Sequence, residues 1–301
     1  MEFGRDAPFG GSLELTHAQT DYSGTTDPDL LDITRNGITG ALHFDIERNL
    51  RLTAGAEYET SSEDGVGSTD QTTQRLTFGV EADVRSDLTA GATIDYSRIE
   101  TVGGPIATPV DRTEDGFGVT LNAALTLPTG VLSGELSSTV GESGRFTSAS
   151  VTRSFEMRRG SIELTFGLTD TEAGDINPTY GLTASREFQQ GELGVSLSQA
   201  VSSTADGEEA LNSTLSVDYR QALTSQIGVG ATLSLADTRA LAGPVEEATR
   251  IDATISMSRS LNRDWDLVGG YTYRTIQEEG GSDVTSNTVF VGLSRSFDWR
   301  W

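Results

Sequence analysis

The sequence predicts an all-β fold of about sixteen antiparallel strands, and three observations support this prediction. Apolar and polar residues alternate along one segment after another; in 50–59, every even position from Leu50 to Tyr58 is apolar or aromatic and no odd position is. Tight polar links and mostly longer, acidic, Gly-rich links take turns between these segments. The even number of segments places both chain ends on the side of the tight links. Alternation with period two gives a sheet one apolar and one wet face.

The same test, applied along the chain, places the strands in order. They are predicted at 9–19, 32–47, 50–61, 72–85, 88–100, 114–127, 131–140, 146–157, 161–170, 179–188, 192–202, 209–221, 225–237, 247–260, 264–277 and 286–299. The first and seventh strands alternate least clearly, so the predicted count is 14–18. Residues 1–8 are predicted to be a flexible N-terminal segment, and 1–301 are predicted to form a single domain.

Composition excludes several classes of protein. A hydrophobic content of 35% with 34 Gly is low for a soluble core of 301 residues. The formal charge of −24, with every basic residue an Arg, argues against binding nucleic acid through a basic patch. The absence of Cys removes disulfides, thiolate metal sites and cysteine nucleophiles. The chain shows neither a transmembrane-helix run nor a signal peptide, which indicates a mature or recombinant chain or a cytosolic protein; the strand pattern favours the former.

The lengths of the connections indicate that the sheet closes into a barrel. Tight links such as Arg48-Asn49 and Arg158-Arg159-Gly160 fall on one side, and longer acidic loops such as 61–65 and 278–283 fall mostly on the other. Short turns on one rim and longer loops on the opposite rim are a feature of transmembrane barrels. We therefore predict a closed antiparallel transmembrane β-barrel. The soluble alternatives, a stack of β-sandwiches or a β-solenoid, need large inward-facing side chains, whereas this apolar face is rich in Ala and single aromatic residues.

The last strand carries a family resemblance. It alternates apolar residues and ends in aromatic ones, with Leu293, Phe297, Trp299 and Trp301 on one face. In this pattern the chain resembles bacterial outer-membrane β-barrels, and its strand count resembles that of the general porins. One departure is that the connection at 101–113 is short, whereas general porins fold a long third loop into the lumen.

The resemblance implies a location and a set of partners. It places the protein in the bacterial outer membrane, with periplasmic turns and termini and extracellular loops. It implies contact with outer-membrane lipid and lipopolysaccharide, insertion by the outer-membrane assembly machinery and, by analogy only, a trimer or another homo-oligomer.

The wet face supplies the candidate pore-lining residues, which are mostly acidic. They are Glu57, Glu59, Glu81, Asp83, Asp95, Glu135, Glu163, Asp218, Arg51, Arg75 and Arg274. A barrel of about sixteen strands encloses water, and an acidic lining favours cations. The predicted function is passive diffusion of small hydrophilic solutes, with a mild preference for cations. An equally weighted alternative is that these charges only keep the interior wet and pair across strands.

Two further sets of residues are assigned to the membrane rim. The predicted interface anchors and assembly signal are Leu293, Phe297, Trp299, Trp301, Phe155 and Phe188. The predicted lipid-phosphate contacts are Arg153, Arg186, Arg259 and Arg295, which share the apolar phase near the tight links. A long Arg side chain near an interface reaches toward the head groups at little cost. The rival explanation is a β-bulge that reverses the phase.

No catalytic, metal or cofactor site is predicted, and the protein is not expected to be an enzyme. The two histidines, His17 and His43, stand in no catalytic motif. Acidic loop tips such as Glu63-Asp64 lack the spacing of a calcium loop. Two alternative functions stay open: a translocator or export barrel of a larger secretion or polysaccharide-export protein, and a plugged structural or anchoring barrel.

Overall fold

The computed structural model describes residues 2–4, 7–21, 32–64, 68–103, 110–141, 144–171, 176–203, 209–242, 247–262, 264–278 and 283–295. These residues form one sheet of 17 strands. In the described ranges no helix has the length and apolar character needed to cross a membrane. The prediction of an all-β, antiparallel fold is confirmed.

The strands follow one another along the chain and each pairs antiparallel with the next. They are β1 (Glu2–Phe3), β2 (Phe9–Thr20), β3 (Asp32–Glu47), β4 (Leu50–Asp64), β5 (Thr69–Arg85), β6 (Leu88–Gly103), β7 (Val110–Leu127), β8 (Gly130–Gly141), β9 (Gly144–Met157), β10 (Gly160–Asp170), β11 (Ile176–Glu187), β12 (Gly191–Ser203), β13 (Glu209–Ala222), β14 (Ile227–Ala242), β15 (Ala248–Ser260), β16 (Trp265–Glu278) and β17 (Val284–Arg295). Cross-strand pairs link β1 to β2 and every later strand to its successor as far as β17.

Strands β2 to β17 correspond to the predicted strands, and the main correction concerns the longer loops. Residues 61–64, predicted as loop, belong to β4, where Ser62 pairs with Asp70 of β5. The predicted loop 101–113 is likewise shortened, because β6 runs to Gly103 and β7 begins at Val110. Backbone hydrogen bonds hold such ladders whatever the side chains are, so the strands continue where alternation of apolar residues has stopped.

The N-terminal segment contains a strand that the sequence does not predict. Glu2 pairs with Ser12 and Phe3 pairs with Gly11, so β1 lies along the start of β2. Gly4 follows with φ 65°, and its carbonyl accepts a hydrogen bond of 3.0 Å from the Ala7 amide. The Phe3 ring meets the Phe9 ring edge-on, with centroids 5.6 Å apart.

The register keeps the predicted lining residues on one face of the sheet. Glu57, for example, lies opposite Thr39 of β3 on one side and Arg75 of β5 on the other. The same phase continues to the far end of the sheet, where Asp252 pairs with Arg274 and Arg274 pairs with Ser286. We call this surface the polar face and the opposite surface the apolar face.

The apolar face is not covered by a second layer. Among the described residues only Ile99, Val140 and Ala210 are buried apolar side chains, whereas Phe78 is 65% exposed. A two-layer sandwich would bury such rings between its sheets, and a β-solenoid would pair its strands in parallel across successive turns. A single antiparallel sheet with a bare apolar face therefore excludes both soluble alternatives.

The apolar residues of the apolar face form a band of limited height. In β4 the apolar positions run from Leu50 to Tyr58 and give way to Thr60 and Ser62. Eight residue steps at about 3.3 Å cover about 26 Å along the strand, or about 20 Å along the membrane normal at the usual tilt of transmembrane barrels. This value is close to the roughly 25 Å apolar band of such barrels.

Gly130 illustrates where the fold requires glycine, and it gives a first testable prediction. It begins β8 with φ 128°, and a Cβ atom there would lie 2.3 Å from the carbonyl oxygen of Ser154. Gly130→Ala is expected to destabilise the folded protein by about 1–3 kcal/mol, because both the backbone conformation and the contact become strained. Urea unfolding of the protein in lipid vesicles measures the loss.

The matched control is Gly40→Ala in β3. A Cβ atom at this position meets nothing within 4 Å, so the change should leave the unfolding midpoint the same or raise it slightly. Equal midpoints for the two variants would contradict the conformation described for the start of β8.

Candidate functional site

The predicted pore-lining residues all fall on the polar face. In cross-strand register, β4, β5 and β6 carry most of them, and the others lie on β8, β10, β13 and β16. The structure therefore spreads these residues around a wall and gathers them into no single cluster. Charged residues distributed in this way set the overall charge of the polar face and do not form a compact binding site.

Each arginine of the predicted lining has a carboxylate partner. Arg51 Nε donates to Asp45 Oδ1 at 2.6 Å, and Arg274 donates to Asp252, which also accepts from Arg250. Arg75 of β5 is part of a small network that links it to one strand on each side, β4 and β6. Its Nη1 lies 3.6 Å from Glu57 Oε2 and its Nε donates to Ser97 Oγ at 3.2 Å.

The carboxylates of the lining are only partly matched. Ser97 Oγ donates to Asp95 Oδ2 at 3.1 Å, and Thr89 donates to Asp83 at 3.1 Å. Glu81 lies opposite Arg51 in the β4–β5 ladder. Among the described residues, four carboxylates of the predicted lining have no ion pair, no side-chain hydrogen bond and no arginine opposite them in the ladder, and they are called the unpaired carboxylates: Glu59, Glu135, Glu163 and Asp218. The polar face therefore carries net negative charge after pairing.

The predicted rim arginines lie on the apolar face beside the tight links. Arg153 pairs with Leu132 and Leu164 in the ladders, its Nη2 donates to Thr129 Oγ1 at 2.9 Å, and its guanidinium lies 4.5 Å from the centre of the Phe155 ring. Stacking on an aromatic face stabilises a guanidinium group at an interface. No bulge occurs near Arg153 in the ladders of β9 with β8 and β10, so its phase is set by regular pairing.

The other rim residues keep the same register where they are described. Arg186 lies opposite Leu193, Arg259 lies opposite Leu267, and the Arg295 guanidinium lies 5.2 Å from the centre of the Trp265 ring. Leu293 pairs with Leu267 on the apolar face, and Phe188 is exposed just after β11. The remaining predicted anchors, Phe297, Trp299 and Trp301, lie outside the described residues.

The two histidines lie on opposite faces of the sheet. His17 Nδ1 is 2.8 Å from Asn36 Oδ1 on the apolar-face register, above the apolar band. His43 lines a polar-face cavity of ≈ 540 Å³ together with Glu2, Thr53 and Glu57. Among the described residues no group of three or more His, Cys, Asp or Glu side chains is arranged to hold a metal ion.

Several features of the polar face are evident only from the structure. Asp45 becomes important because it neutralises Arg51 of the lining. Asp252 has the polar phase already in the sequence, and the structure adds its pairing with Arg274. Phe290 also lies on the polar face, directly opposite Gly270. Its neighbours Val289 and Val291 are apolar too, so the period-two pattern is interrupted here. Asp45 and Phe290 can be identified only from the cross-strand register, which a single sequence does not supply.

Comparison with known proteins identifies similar folds but no related sequence. No protein-family model matches the chain, and no curated protein matches it. A variant of the ferric enterobactin receptor PfeA from Pseudomonas aeruginosa is similar in structure, with a TM-score of 0.59, 11% identity, and coverage of 91% of this chain and 58% of that one. The siderophore receptor PirA from Pseudomonas aeruginosa gives a TM-score of 0.54 and 11% identity, over 99% of this chain and 70% of that one.

A third similar structure is that of an outer-membrane receptor. The alcaligin outer membrane receptor FauA from Bordetella pertussis gives a TM-score of 0.51 and 12% identity, over 94% of this chain and 58% of that one. The chain shares the sheet fold of these receptors. It spans about 58% of the length of PfeA and FauA. The likeness supports the outer-membrane-barrel part of the predicted resemblance, and it does not extend to general porins in particular.

Proposed function

We propose that the protein is a channel of the bacterial outer membrane through which small hydrophilic solutes diffuse passively, with a mild preference for cations. The observation that carries this proposal is the charge balance of the polar face. The arginines of the lining are paired with carboxylates, whereas Glu59, Glu135, Glu163 and Asp218 are not. Unpaired carboxylates on the wall of a water-filled passage raise the local concentration of cations.

The proposal requires the sheet to close between β17 and the part of β2 beyond Ser12, because β1 already pairs with Gly11 and Ser12. These strands run in opposite directions, because β2 leaves the rim of the tight turns and β17 returns to it. They are therefore suited to antiparallel pairing. An open edge in lipid would leave backbone N–H and C=O groups without partners, at several kcal/mol for each group. Closure removes that cost and separates a wet interior from the bare apolar face.

The proposed orientation places the tight turns and both termini in the periplasm. Arg153 and Arg295, each next to an aromatic ring on the apolar face, then reach lipid phosphate groups at the periplasmic boundary. The long-loop rim meets lipopolysaccharide, and the assembly machinery would insert the chain. The fold shared with an outer-membrane receptor supports this location.

Planar-bilayer recording of the folded protein tests the channel. We expect stepwise increases in conductance and, across a KCl gradient, a reversal potential of the sign that K⁺ preference gives. Circular dichroism and resistance to proteolysis of the same preparation establish that the protein is folded. Folded protein that produces no conductance would overturn the proposed function and favour a plugged, anchoring barrel.

A second candidate function is specific uptake of an iron chelate, because the similar structures are receptors for ferric enterobactin, for siderophores and for alcaligin. A receptor of this kind would bind ferric enterobactin saturably and would not conduct ions when folded. Equilibrium binding with ferric enterobactin as the probe, beside the bilayer recording, separates the two functions. An export barrel of a longer protein is a further prediction, which conductance alone does not exclude.

A further inference from the structure

One row of cross-strand neighbours on the polar face differs from the rest of the lining. Its members pair directly, each with the next, from β12 to β17: Glu192, Arg220, Gly230, Ser256, Gly270 and Phe290. Glu187 of β11 lies opposite Glu192 and extends the charged end. We call this set the Phe290 row. It has charged groups at one end, small residues in the middle and an aromatic ring at the other end.

Phe290 is an exposed aromatic ring on a face that is mostly polar. Its ring lies against Gly270, since a Cβ atom on that glycine would be 2.7 Å from the ring carbon Cζ. The ring is nevertheless 37% exposed. One side of the Phe290 ring thus packs on Gly270, and the other side faces the water of the proposed channel.

The charged end of the Phe290 row opens into a depression. A cavity of ≈ 590 Å³ is lined by Glu187, Glu192, Arg220, Gly230 and Ser256, with others of β11 to β15. This volume is within the range of about 300–1,000 Å³ that small-molecule sites have. Strands lie about 4.8 Å apart, so Phe290 lies about 10 Å from Ser256, two strands away.

We propose that the Phe290 row is a weak binding site for neutral oligosaccharides that pass through the channel; this inference rests on the proposed function. A sugar ring presents C–H groups on its faces and hydroxyl groups around its edge. The C–H groups carry partial positive charge and fit the electron-rich face of the Phe290 ring. Glu187 and Glu192 accept hydrogen bonds from hydroxyl groups, and the Arg220 guanidinium donates them.

The spacing of the row favours an elongated ligand over a single ion. A metal or ammonium ion would use Glu187 and Glu192 and leave the ring unused. A chain of two or three sugar rings reaches from the depression to Phe290, and the small side chains of Gly230 and Ser256 leave room for it.

Block of the channel current by maltotriose tests the site. In planar bilayers, maltotriose is expected to reduce the conductance of the unmodified protein saturably. In Phe290→Leu, which keeps an apolar side chain over Gly270 but loses the aromatic face, the half-blocking concentration should rise about fivefold. Phe290→Tyr should keep the block, because the ring is retained.

The matched control is Phe146→Leu, a polar-face aromatic of β9 that packs on Gly141 far from the row. It should leave the half-blocking concentration unchanged. Conductance without saturable block by maltotriose, or equal half-blocking concentrations for Phe290→Leu and the unmodified protein, would overturn the oligosaccharide site and leave the channel standing. Absence of conductance would instead overturn the channel, and the site with it.

Discussion

Replacement of Phe78 by Arg is expected to lower the free energy of unfolding from a lipid bilayer by about 2–4 kcal/mol. Phe78 projects from β5 on the apolar face, between Ala54 and Ile94 of the neighbouring strands, and its side chain is 65% exposed. If that face meets lipid, the guanidinium group must lose its hydration near the middle of the apolar band. In a soluble protein the same change at an exposed position would cost little and would improve solubility.

The matched control lies one residue away on the other face. Thr77→Arg places the same charge on the polar face, opposite Asp95 of β6, where a carboxylate can pair with the guanidinium group. It should change stability by less than about 1 kcal/mol. Guanidinium-chloride unfolding of both variants in phospholipid vesicles gives the difference. Equal stabilities for Phe78→Arg and Thr77→Arg would show that the apolar face is not in contact with lipid.

The strands and faces could be predicted from the sequence because apolar and polar residues alternate along each strand. From Leu50 to Tyr58 each apolar residue is followed by a polar residue or by Gly55, and a slip of one residue would reverse the faces. Above the apolar band this signal ends. Ser62 and Asp70 pair there through their backbones, and no sequence period distinguishes such a ladder from a loop.

The composition of the polar face could be predicted, but its pairing could not. Arg51 lies opposite Glu81 on one side and Asp45 on the other, and the hydrogen bond goes to Asp45. The hairpin that joins β3 to β4 has a register shift between Asp45 and Glu47, which no pattern in the sequence indicates. The face on which Phe290 lies could not be predicted for a related reason. Phe290 stands between two valines, and its face depends on the ladder with β16.

Neutralisation of the unpaired carboxylates is expected to lower the preference of the channel for cations. At about 10 Å in water a unit charge is worth about 0.4 kcal/mol to a passing ion, and salt at 0.1 M screens most of this. The quadruple variant Glu59→Gln, Glu135→Gln, Glu163→Gln and Asp218→Asn should therefore reduce the K⁺ to Cl⁻ permeability ratio by about two- to threefold. The measurement is the reversal potential across a tenfold KCl gradient in planar bilayers.

Asp115→Asn is the control for this change. Asp115 lies on the apolar-face register above the band, where it accepts a hydrogen bond of 3.1 Å from the Tyr96 hydroxyl. Removing its charge should leave the reversal potential unchanged, because the charge lies outside the proposed lumen. Asp45→Asn also removes one negative charge and takes away the partner of the Arg51 guanidinium, so it should shift the reversal potential toward anions by about as much as the loss of one unpaired carboxylate does. An unchanged permeability ratio in the quadruple variant would remove these carboxylates from the mechanism of selectivity.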